Sequence, residues 1–173
     1  FAATRSPPVG VESVYRRVAM PLKKLREFLD AEQVKYVLIT HSPAFTASEV
    51  AASAHIPGRE MVKTVMVKVD GDMAMAVLPS MDHVDIQRLR DLTGAHKVRI
   101  AQEDEFGELF PNCEIGAMPP FGNLWNQQVF VDPALAKVDQ IAFNAGSHTE
   151  LMQIHWDDFE RLVRPQVLDL HIH

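Results

Sequence analysis

The chain has 173 residues, of which 47% are hydrophobic and 23% are charged, and its formal net charge at pH 7 is −6. This composition is that of a globular domain, and it excludes a disordered tail, a collagen and a coiled coil. No apolar run reaches the ~20 residues of a membrane-spanning helix, and the negative charge argues against a protein that coats duplex nucleic acid by charge alone.

Cysteine usage sets the expected compartment. The single cysteine, Cys113, cannot form an internal disulfide. A chain of this length buries enough surface to fold without a disulfide or a metal. We therefore expect a reducing, cytoplasmic setting.

The first 19 residues have no clear hydrophobic period and lack the apolar core of a signal peptide. We expect residues 1–19 to be an N-terminal extension, poorly ordered or introduced by cloning. A single domain over 20–167 and a tail over 168–173 follow. Five basic side chains lie near this end: Arg16, Arg17, Lys23, Lys24 and Arg26. They form either a solvated face or a patch that contacts phosphates.

Hydrophobic periodicity and turn residues predict the elements in the first part of the chain. In order, these are a helix over 21–32, a strand over 35–39, a helix over 47–54, strands over 62–69 and 73–78, a helix over 83–92 and a strand over 97–100. Thr46 and Glu49 match a capping box for the second helix. The dipeptide Asp70-Gly71 is typical of a β-hairpin turn, and Gly94 ends the third helix.

The second part of the chain also mixes helices and strands. The predicted elements are an acidic helix over 102–110, a loop over 115–127, strands over 128–131, 140–144 and 149–155, and a helix over 158–163. Asp157 is expected to cap the last helix. Because at least one strand pair is an antiparallel hairpin, a purely parallel doubly wound sheet is excluded.

Lys63 is the first candidate for chemistry. It alternates along its strand with Val65, Val67 and Val69 on one face. Three valines indicate a core-facing surface with a lysine at its margin. The lysine either extends to water or receives a substrate phosphate or carbonyl oxygen.

Two loops are further candidates. In 115–123 (IGAMPPFGN), Gly116 lets the backbone approach a ligand and the prolines stiffen the chain. In 144–148 (NAGSH), His148 follows a strand and lies over a pocket or in a solvated turn. Taken alone, each pattern is more typical of an ordinary surface loop or turn.

Other chemistries have little support. The eight histidines are scattered, no H-E-x-x-H occurs, and no cysteine pair is present, so a functional metal site is disfavoured. Five acids near Cys113 are expected to raise the thiol pKa, which disfavours a thiolate nucleophile. These acids, Glu103, Asp104, Glu105, Glu108 and Glu114, are expected to form a solvated helical face.

Taken together, six short motifs resemble the YbaK/EbsC family, the free-standing relatives of the editing domain inserted in bacterial prolyl-tRNA synthetases. The motifs are THSPAFTASEVA at 40–51, PGREMVKTVMVK at 57–68, AVLP at 76–79, the GxxxP loop at 116–120, FGN at 121–123 and FNAGSH at 143–148. The resemblance runs from about Met20 to about Pro165. It depends on the order and spacing of the motifs together.

The resemblance implies a single α/β (α+β) domain with a curved mixed β-sheet, a barrel-like core and flanking helices. It implies hydrolysis of the ester between a wrong amino acid and a tRNA, without metal, cofactor or covalent nucleophile. The implied partner is the CCA end of an aminoacyl-tRNA, and prolyl-tRNA synthetase is a second candidate partner.

The resemblance also assigns residues. Lys63 would hold the terminal adenosine, the backbone at Gly116 would position the aminoacyl carbonyl, and His148 would lie at the aminoacyl pocket. Water, helped by the neighbouring ribose hydroxyl, would attack. Six further residues are implied to bind substrate: Thr46, Thr64, Pro120, Phe121, Gly146 and Ser147.

Three functions remain open on the sequence. The leading one is a trans-editing deacylase, with tRNA(Pro) carrying a small noncognate amino acid such as alanine or cysteine as its substrate. The second is a non-catalytic module that binds an aminoacyl-nucleotide or a synthetase. The third is a metal-dependent hydrolase built from scattered histidines.

Overall fold

A computed structural model of the protein describes residues 23–41, 49, 52, 55–110 and 113–173. The helices are α1 (23–31), α2 (Ile86–Thr93), α3 (Glu103–Phe106) and α4 (Trp156–Val163). The strands are β1 (Val37–Thr40), β2 (Val62–Val69), β3 (Asp72–Pro79), β4 (Val98–Ile100), β5 (Gln128–Val131), β6 (Gln140–Asn144), β7 (Glu150–His155) and β8 (Gln166–Val167). Within these ranges, no helix has the length and apolar character needed to cross a bilayer.

The β2–β3 hairpin is the most extended strand pairing, and its turn explains its register. Asp70 and Gly71 both have positive φ, 49° and 87°, as a two-residue type I′ turn requires. The Asp70 carboxylate accepts hydrogen bonds from the amides of His96 (2.9 Å) and Lys97 (2.8 Å). These bonds fix the chain just before β4 against the hairpin and lower the pKa of Asp70.

Two sheets build the domain. The five-stranded sheet has the order β4-β2-β3-β5-β8, and β3 pairs antiparallel with β2 and parallel with β5. The three-stranded sheet, β1-β7-β6, is antiparallel. A parallel bridge between Met61 and Ala142 joins the start of β2 to β6. This bridge connects the two sheets, and the expected mixed α/β architecture is confirmed.

Phe121 lies at the centre of the main core. Its ring is fully buried and contacts Phe28 of α1, Phe143 of β6 and Phe159 of α4, at centroid distances of 6.4, 5.5 and 5.5 Å. The pairs with Phe28 and Phe159 are edge-on, and such pairs stabilise a core beyond the area that they bury. The loop that carries Phe121 is thus anchored to three separate elements.

A second buried cluster covers the other face of the large sheet. Val67 packs there with Leu89 of α2 and with Leu170, and Val65 and Val69 lie half-buried against it. The strand face that Lys63 shares is therefore core-facing, as its three valines indicate.

The stretch after β8, predicted as a tail, packs on the domain. Asp132 is fully buried and accepts a hydrogen bond from the amide of Ala134 (2.9 Å), which begins the 3-10 helix Pro133–Lys137. Its second oxygen accepts from the amides of Leu170 (3.0 Å) and His171 (3.2 Å). Leu170 is fully buried.

Most elements match the predictions, but several boundaries differ for capping reasons. The strands at 62–69, 128–131 and 140–144 have the predicted bounds. The helix predicted over 83–92 begins only at Ile86, because Asp85 is its N-cap and accepts from the amide of Arg88 at 3.0 Å. The prediction that Asp157 caps the last helix is wrong. The N-cap is His155 and Asp157 lies in the first turn.

Two further predictions differ from the structure, and a third falls largely outside the described residues. The acidic helix ends at Phe106 and continues as a 3-10 turn over Gly107–Leu109. The predicted loop 115–127 contains the 3-10 helix Gly122–Trp125. The capping box and most of the helix over 47–54 lie outside the described residues, although Glu49 and Ala52 are helical.

Candidate active site

The glycine-proline loop is held in a specific turn. The amide of Ala117 donates to the carbonyl oxygen of Glu114 at 3.0 Å, and Gly116 within this turn has a φ of +84°. Only glycine adopts such a φ without strain. Pro119 and Pro120 are buried. The loop therefore exposes its glycine turn while its second half lies in the core.

A second turn follows β6. Gly146 has a φ of +97°, and Ser147 is only 2% exposed. The Ser147 hydroxyl lies 3.1 Å from that of Thr149 and accepts from the amide of Thr149 at 3.3 Å. His148, between them, is exposed. Ser147 is thus committed to its own turn, and His148 is presented at the surface.

Four hydrogen bonds join these two turns. The amide of Glu114 donates to the carbonyl of Gly146 and the amide of Gly146 donates to the carbonyl of Ala117, both at 2.9 Å. The amide of His148 donates to Oε2 of Glu114 at 2.9 Å. The imidazole Nε2 of His148 lies 2.8 Å from the carbonyl oxygen of Ile115. The structure therefore brings Gly116 and His148 together: a Cβ on Gly116 would lie 3.5 Å from the His148 ring.

The contact to Ile115 assigns the tautomer of His148. A carbonyl oxygen only accepts, so the ring nitrogen that faces it carries the hydrogen. Neutral His148 is then protonated at Nε2 and has its lone pair on Nδ1. An exposed imidazole with a free lone pair at Nδ1 can accept a hydrogen bond from water or from a substrate amine or hydroxyl.

Lys63 is half-buried in β2. Met61, two residues earlier, forms the parallel bridge to Ala142 that joins the start of β2 to β6, and β6 ends at Asn144, just before the second turn. Burial lowers the pKa of the Lys63 ammonium, and nearby Asp82 partly offsets this. A partly desolvated cation attracts an incoming phosphate or carbonyl oxygen more strongly than one in bulk water.

The residues expected to bind substrate fall into different environments. Strand alternation places Thr64 on the opposite face of β2 from Lys63. Phe121 is a core side chain, so any contact that it makes with a ligand comes from its backbone. Thr46 lies outside the described residues.

Sequence reasoning assigned no role in the site to Glu114 or to the carbonyl of Ile115. Glu114 had been counted among the acids of a solvated face. Glu105 differs from that expectation too, because it pairs with Arg99, which lowers its pKa to about 2. One feature of the sequence points to a role for Glu114 in the site, namely that it lies two residues before Gly116.

The thiol of Cys113 is not an activated nucleophile. Burial raises its pKa to about 11. The direction agrees with the prediction, but the cause is loss of solvent rather than the neighbouring acids. No thiolate nucleophile is available from this residue near neutral pH.

One group of described side chains has the spacing of a metal site. It consists of Asp169, His171 and His173, beyond the edge strand β8. Asp169 is already paired with Arg88 at 2.6 Å and with His173 at 2.8 Å. The group belongs to the packed C-terminal stretch and not to the two turns that hold Gly116 and His148.

The basic residues of α1 have intramolecular partners. Lys24 donates to the carbonyl of Leu124 at 2.9 Å and lies over the Trp125 ring, 5.2 Å from its centroid. Arg26 donates to the hydroxyl of Tyr36 at 3.3 Å. Arg16 and Arg17 lie outside the described residues.

Comparison with known proteins places the chain among editing domains. The family model of the aminoacyl-tRNA editing domain matches residues 41–162. The multifunctional Ser/Thr-tRNA deacylase ProXp-y of Escherichia coli (strain K12) is 25% identical over 152 residues, which span 85% of this chain and 90% of that protein.

Two further matches concern prolyl-tRNA synthetase. A proline–tRNA ligase of Bacillus mycoides (strain KBAB4) is 28% identical over 90 residues, which are 52% of this chain but only 16% of the ligase. The crystal structure of a proposed trans-editing enzyme for prolyl-tRNA synthetase superposes with a TM-score of 0.76 at 20% identity, over 88% of this chain and 98% of that one. At 20% identity, the superposition with this crystal structure shows a shared fold and no more.

Proposed function

The chain belongs to the aminoacyl-tRNA editing domain family, and from that membership we propose that it acts in trans to hydrolyse the ester of a mischarged tRNA. The family is the one that the six sequence motifs indicate. The activity is that of an aminoacyl-tRNA deacylase, an ester hydrolase. The observation that carries the proposal is the junction of the Gly116 and His148 turns.

The reaction needs positioning more than activation. An aminoacyl ester is already reactive, so holding water and the carbonyl in line supplies much of the rate. Water adds to the carbonyl carbon, the carbonyl oxygen becomes negative, and the ribose oxygen then leaves with a proton. The missing side chain of Gly116 lets the ester approach the loop backbone, and the lone pair on Nδ1 of His148 can hold the amino group or the water.

Lys63 and the substrate's own ribose complete the proposed site. Lys63 follows by two residues the bridge that joins β2 to β6, and its proposed role is to bind the terminal nucleotide through a phosphate. The ribose hydroxyl next to the ester assists the attacking water. Thr64, Pro120, Gly146 and Ser147 shape the pocket around the aminoacyl group, Ser147 by fixing the turn that presents His148.

The proposed substrate is a tRNA that carries a small noncognate amino acid. Alanine or cysteine on tRNA(Pro) is the first candidate, since proline–tRNA ligases are among the relatives. Serine and threonine are the second, because the Escherichia coli relative is named for them. A pocket discriminates one methylene by only about 1–3 kcal/mol, so rates must be compared directly.

A panel of charged tRNAs tests the proposal. Deacylation of tRNA(Pro) carrying alanine, cysteine, serine, threonine or proline is followed with and without EDTA. We expect rapid loss of at least one noncognate amino acid, sparing of proline and no effect of EDTA. Binding of charged tRNA without turnover of any would instead identify a non-catalytic binding module, and loss of activity with EDTA would indicate a metal-dependent hydrolase.

The tRNA contact is proposed to be small. The chain carries a net charge of −6. The basic side chains described in α1 already interact with other groups of the protein. Gripping the CCA end requires few phosphate contacts, so the affinity should fall only shallowly as salt rises. A steep salt dependence would indicate that the acceptor stem is contacted as well.

A complex with prolyl-tRNA synthetase is a second proposed interaction, and it is tested by pull-down of the purified proteins.

A further inference from the structure

Glu114 connects the two turns of the candidate site at both its backbone and its side chain. Its amide donates to the carbonyl of Gly146 at 2.9 Å, and its Oε2 accepts from the amide of His148 at 2.9 Å. The next residue, Ile115, supplies the carbonyl that holds the His148 ring. Glu114 thus holds the backbone of His148, and its neighbour Ile115 holds the imidazole.

We propose that Glu114 is a positioning residue of the editing site, which holds His148 against the glycine loop with its Nδ1 lone pair available to the substrate. This inference rests on the proposed function. Glu114 acts through His148 and does not itself touch the ester.

The chemistry of the contact favours this role. The acceptor is an ionised carboxylate and the donor a backbone amide, which is a charge-assisted hydrogen bond and stronger than a neutral one. It joins positions 34 residues apart along the chain, in a region where His148 and Glu114 are both exposed. Without this bond, water competes for the amide of His148, and the segment after Gly146 loses its link to the loop.

The turns have other connections, so losing Glu114's side chain should not unfold the domain. The bond from the amide of Gly146 to the carbonyl of Ala117 remains, as does the core packing of Phe121. What changes is the placement of the imidazole. A glutamine at position 114 keeps an acceptor oxygen of the same reach and removes only the charge, so it should restore much of the function.

Kinetics of the full chain test the proposal. Glu114→Ala should lower kcat about 10-fold, the loss expected for one charge-assisted hydrogen bond that acts on the transition state. KM should change less than about twofold, because Lys63 and the loop still bind the tRNA end. Glu114→Gln should recover most of kcat. The exposed Glu108→Ala is the matched control and should behave as the unmodified chain.

A second measurement needs no substrate. Long-range proton–nitrogen spectra of the histidine rings report which nitrogen of His148 carries the hydrogen. The unmodified chain and Glu114→Gln should show the Nε2–H tautomer, and Glu114→Ala should show a mixture. A pure Nε2–H tautomer in Glu114→Ala, or an unchanged kcat, would overturn the proposal. If the unmodified chain hydrolyses no charged tRNA, the proposed function fails while the ring spectra still decide the role of Glu114.

Discussion

Nε2 of His148 lies 2.8 Å from the carbonyl oxygen of Ile115, a contact between residues 33 positions apart. The acceptor fixes both the orientation of the ring and the nitrogen that bears the hydrogen. A histidine held in this way differs from a solvated one, because its second nitrogen always presents a lone pair in the neutral form. The arrangement therefore predicts that the ring nitrogen, and not merely the bulk of the side chain, is required.

His148→Gln tests this requirement. Glutamine retains an N–H that can donate to Ile115 but has no basic ring nitrogen. We expect kcat for deacylation to fall about 100-fold, within the range for loss of a positioned proton acceptor, with no change in melting temperature. The exposed His155, the N-cap of α4, provides the control His155→Gln. Full activity in His148→Gln would show that only the hydrogen bond to Ile115 matters.

Lys63→Ala should abolish measurable hydrolysis and leave the fold intact. Burial lowers the pKa of Lys63, so removing this partly desolvated cation should not destabilise the sheet. Loss of a charge that meets the nucleotide or the developing oxyanion should lower kcat/KM by at least about 100-fold. Both kcat/KM and the melting temperature are measured.

The same strand offers a matched control for Lys63. Lys68 lies on the opposite face of β2 and pairs with Glu105 at 3.6 Å. Lys68→Ala should therefore keep full activity. Retained activity in Lys63→Ala, or an equal loss in both variants, would contradict the role given to Lys63.

Gly116→Ala should separate backbone strain from crowding. The new Cβ would meet the His148 ring at 3.5 Å, an ordinary contact, but the φ of +84° is strained for alanine. We expect the free energy of unfolding to fall by about 1–2 kcal/mol, with a loss of activity as the turn shifts. Gly107, with a φ of −54° and open space around it, gives the control Gly107→Ala, which should leave activity unchanged.

Denaturant unfolding at one pH and single-turnover deacylation give the two readouts for Gly116→Ala. Unchanged activity in a destabilised variant would show that the turn is a structural feature only. Such a result would move the proposed carbonyl contact elsewhere on the loop.

Local signals explain why much of the fold was predictable. The hairpin of β2 and β3 follows from alternating apolar residues on either side of Asp70-Gly71, and it has the predicted turn. β5 and β6 are short apolar runs between turn residues, and their bounds are those predicted. In each of these cases, the determining residues are neighbours in the sequence.

The junction of the candidate site is not local, which is why only part of it was predicted. The motifs indicated Gly116 and His148 separately, through a family resemblance. The residue that joins them, Glu114, was grouped with nearby acids because a local pattern cannot show a partner 34 residues away. The predicted cap at Asp157 is wrong by two residues. The last helix begins earlier than its sequence pattern indicates, so that His155 is the N-cap.

In the C-terminal stretch, the partly exposed ring of His171 is hydrogen-bonded to the buried carboxylate of Asp132. The Nδ1 of His171 lies 2.7 Å from Oδ2 of Asp132. This hydrogen bond raises the pKa of His171, burial opposes the rise, and the charges of Asp132, Asp169 and Asp82 add to it. The ring centroids of His171 and His173 lie 4.2 Å apart. The folded state therefore favours the charged form of His171 more than the unfolded chain does.

This pair predicts a pH dependence of stability with a definite sign. Because the folded pKa of His171 is raised, its contribution is fully present below the unfolded value of about 6.5 and is lost as pH rises through the folded pKa. The difference in free energy of unfolding between the unmodified chain and His171→Gln should thus be largest near pH 5.5 and shrink toward pH 8.5, as measured by urea unfolding. A difference that grows with pH would mean that His171 is bound in its neutral form, with Asp132 held by the backbone amides of Leu170 and His171 alone.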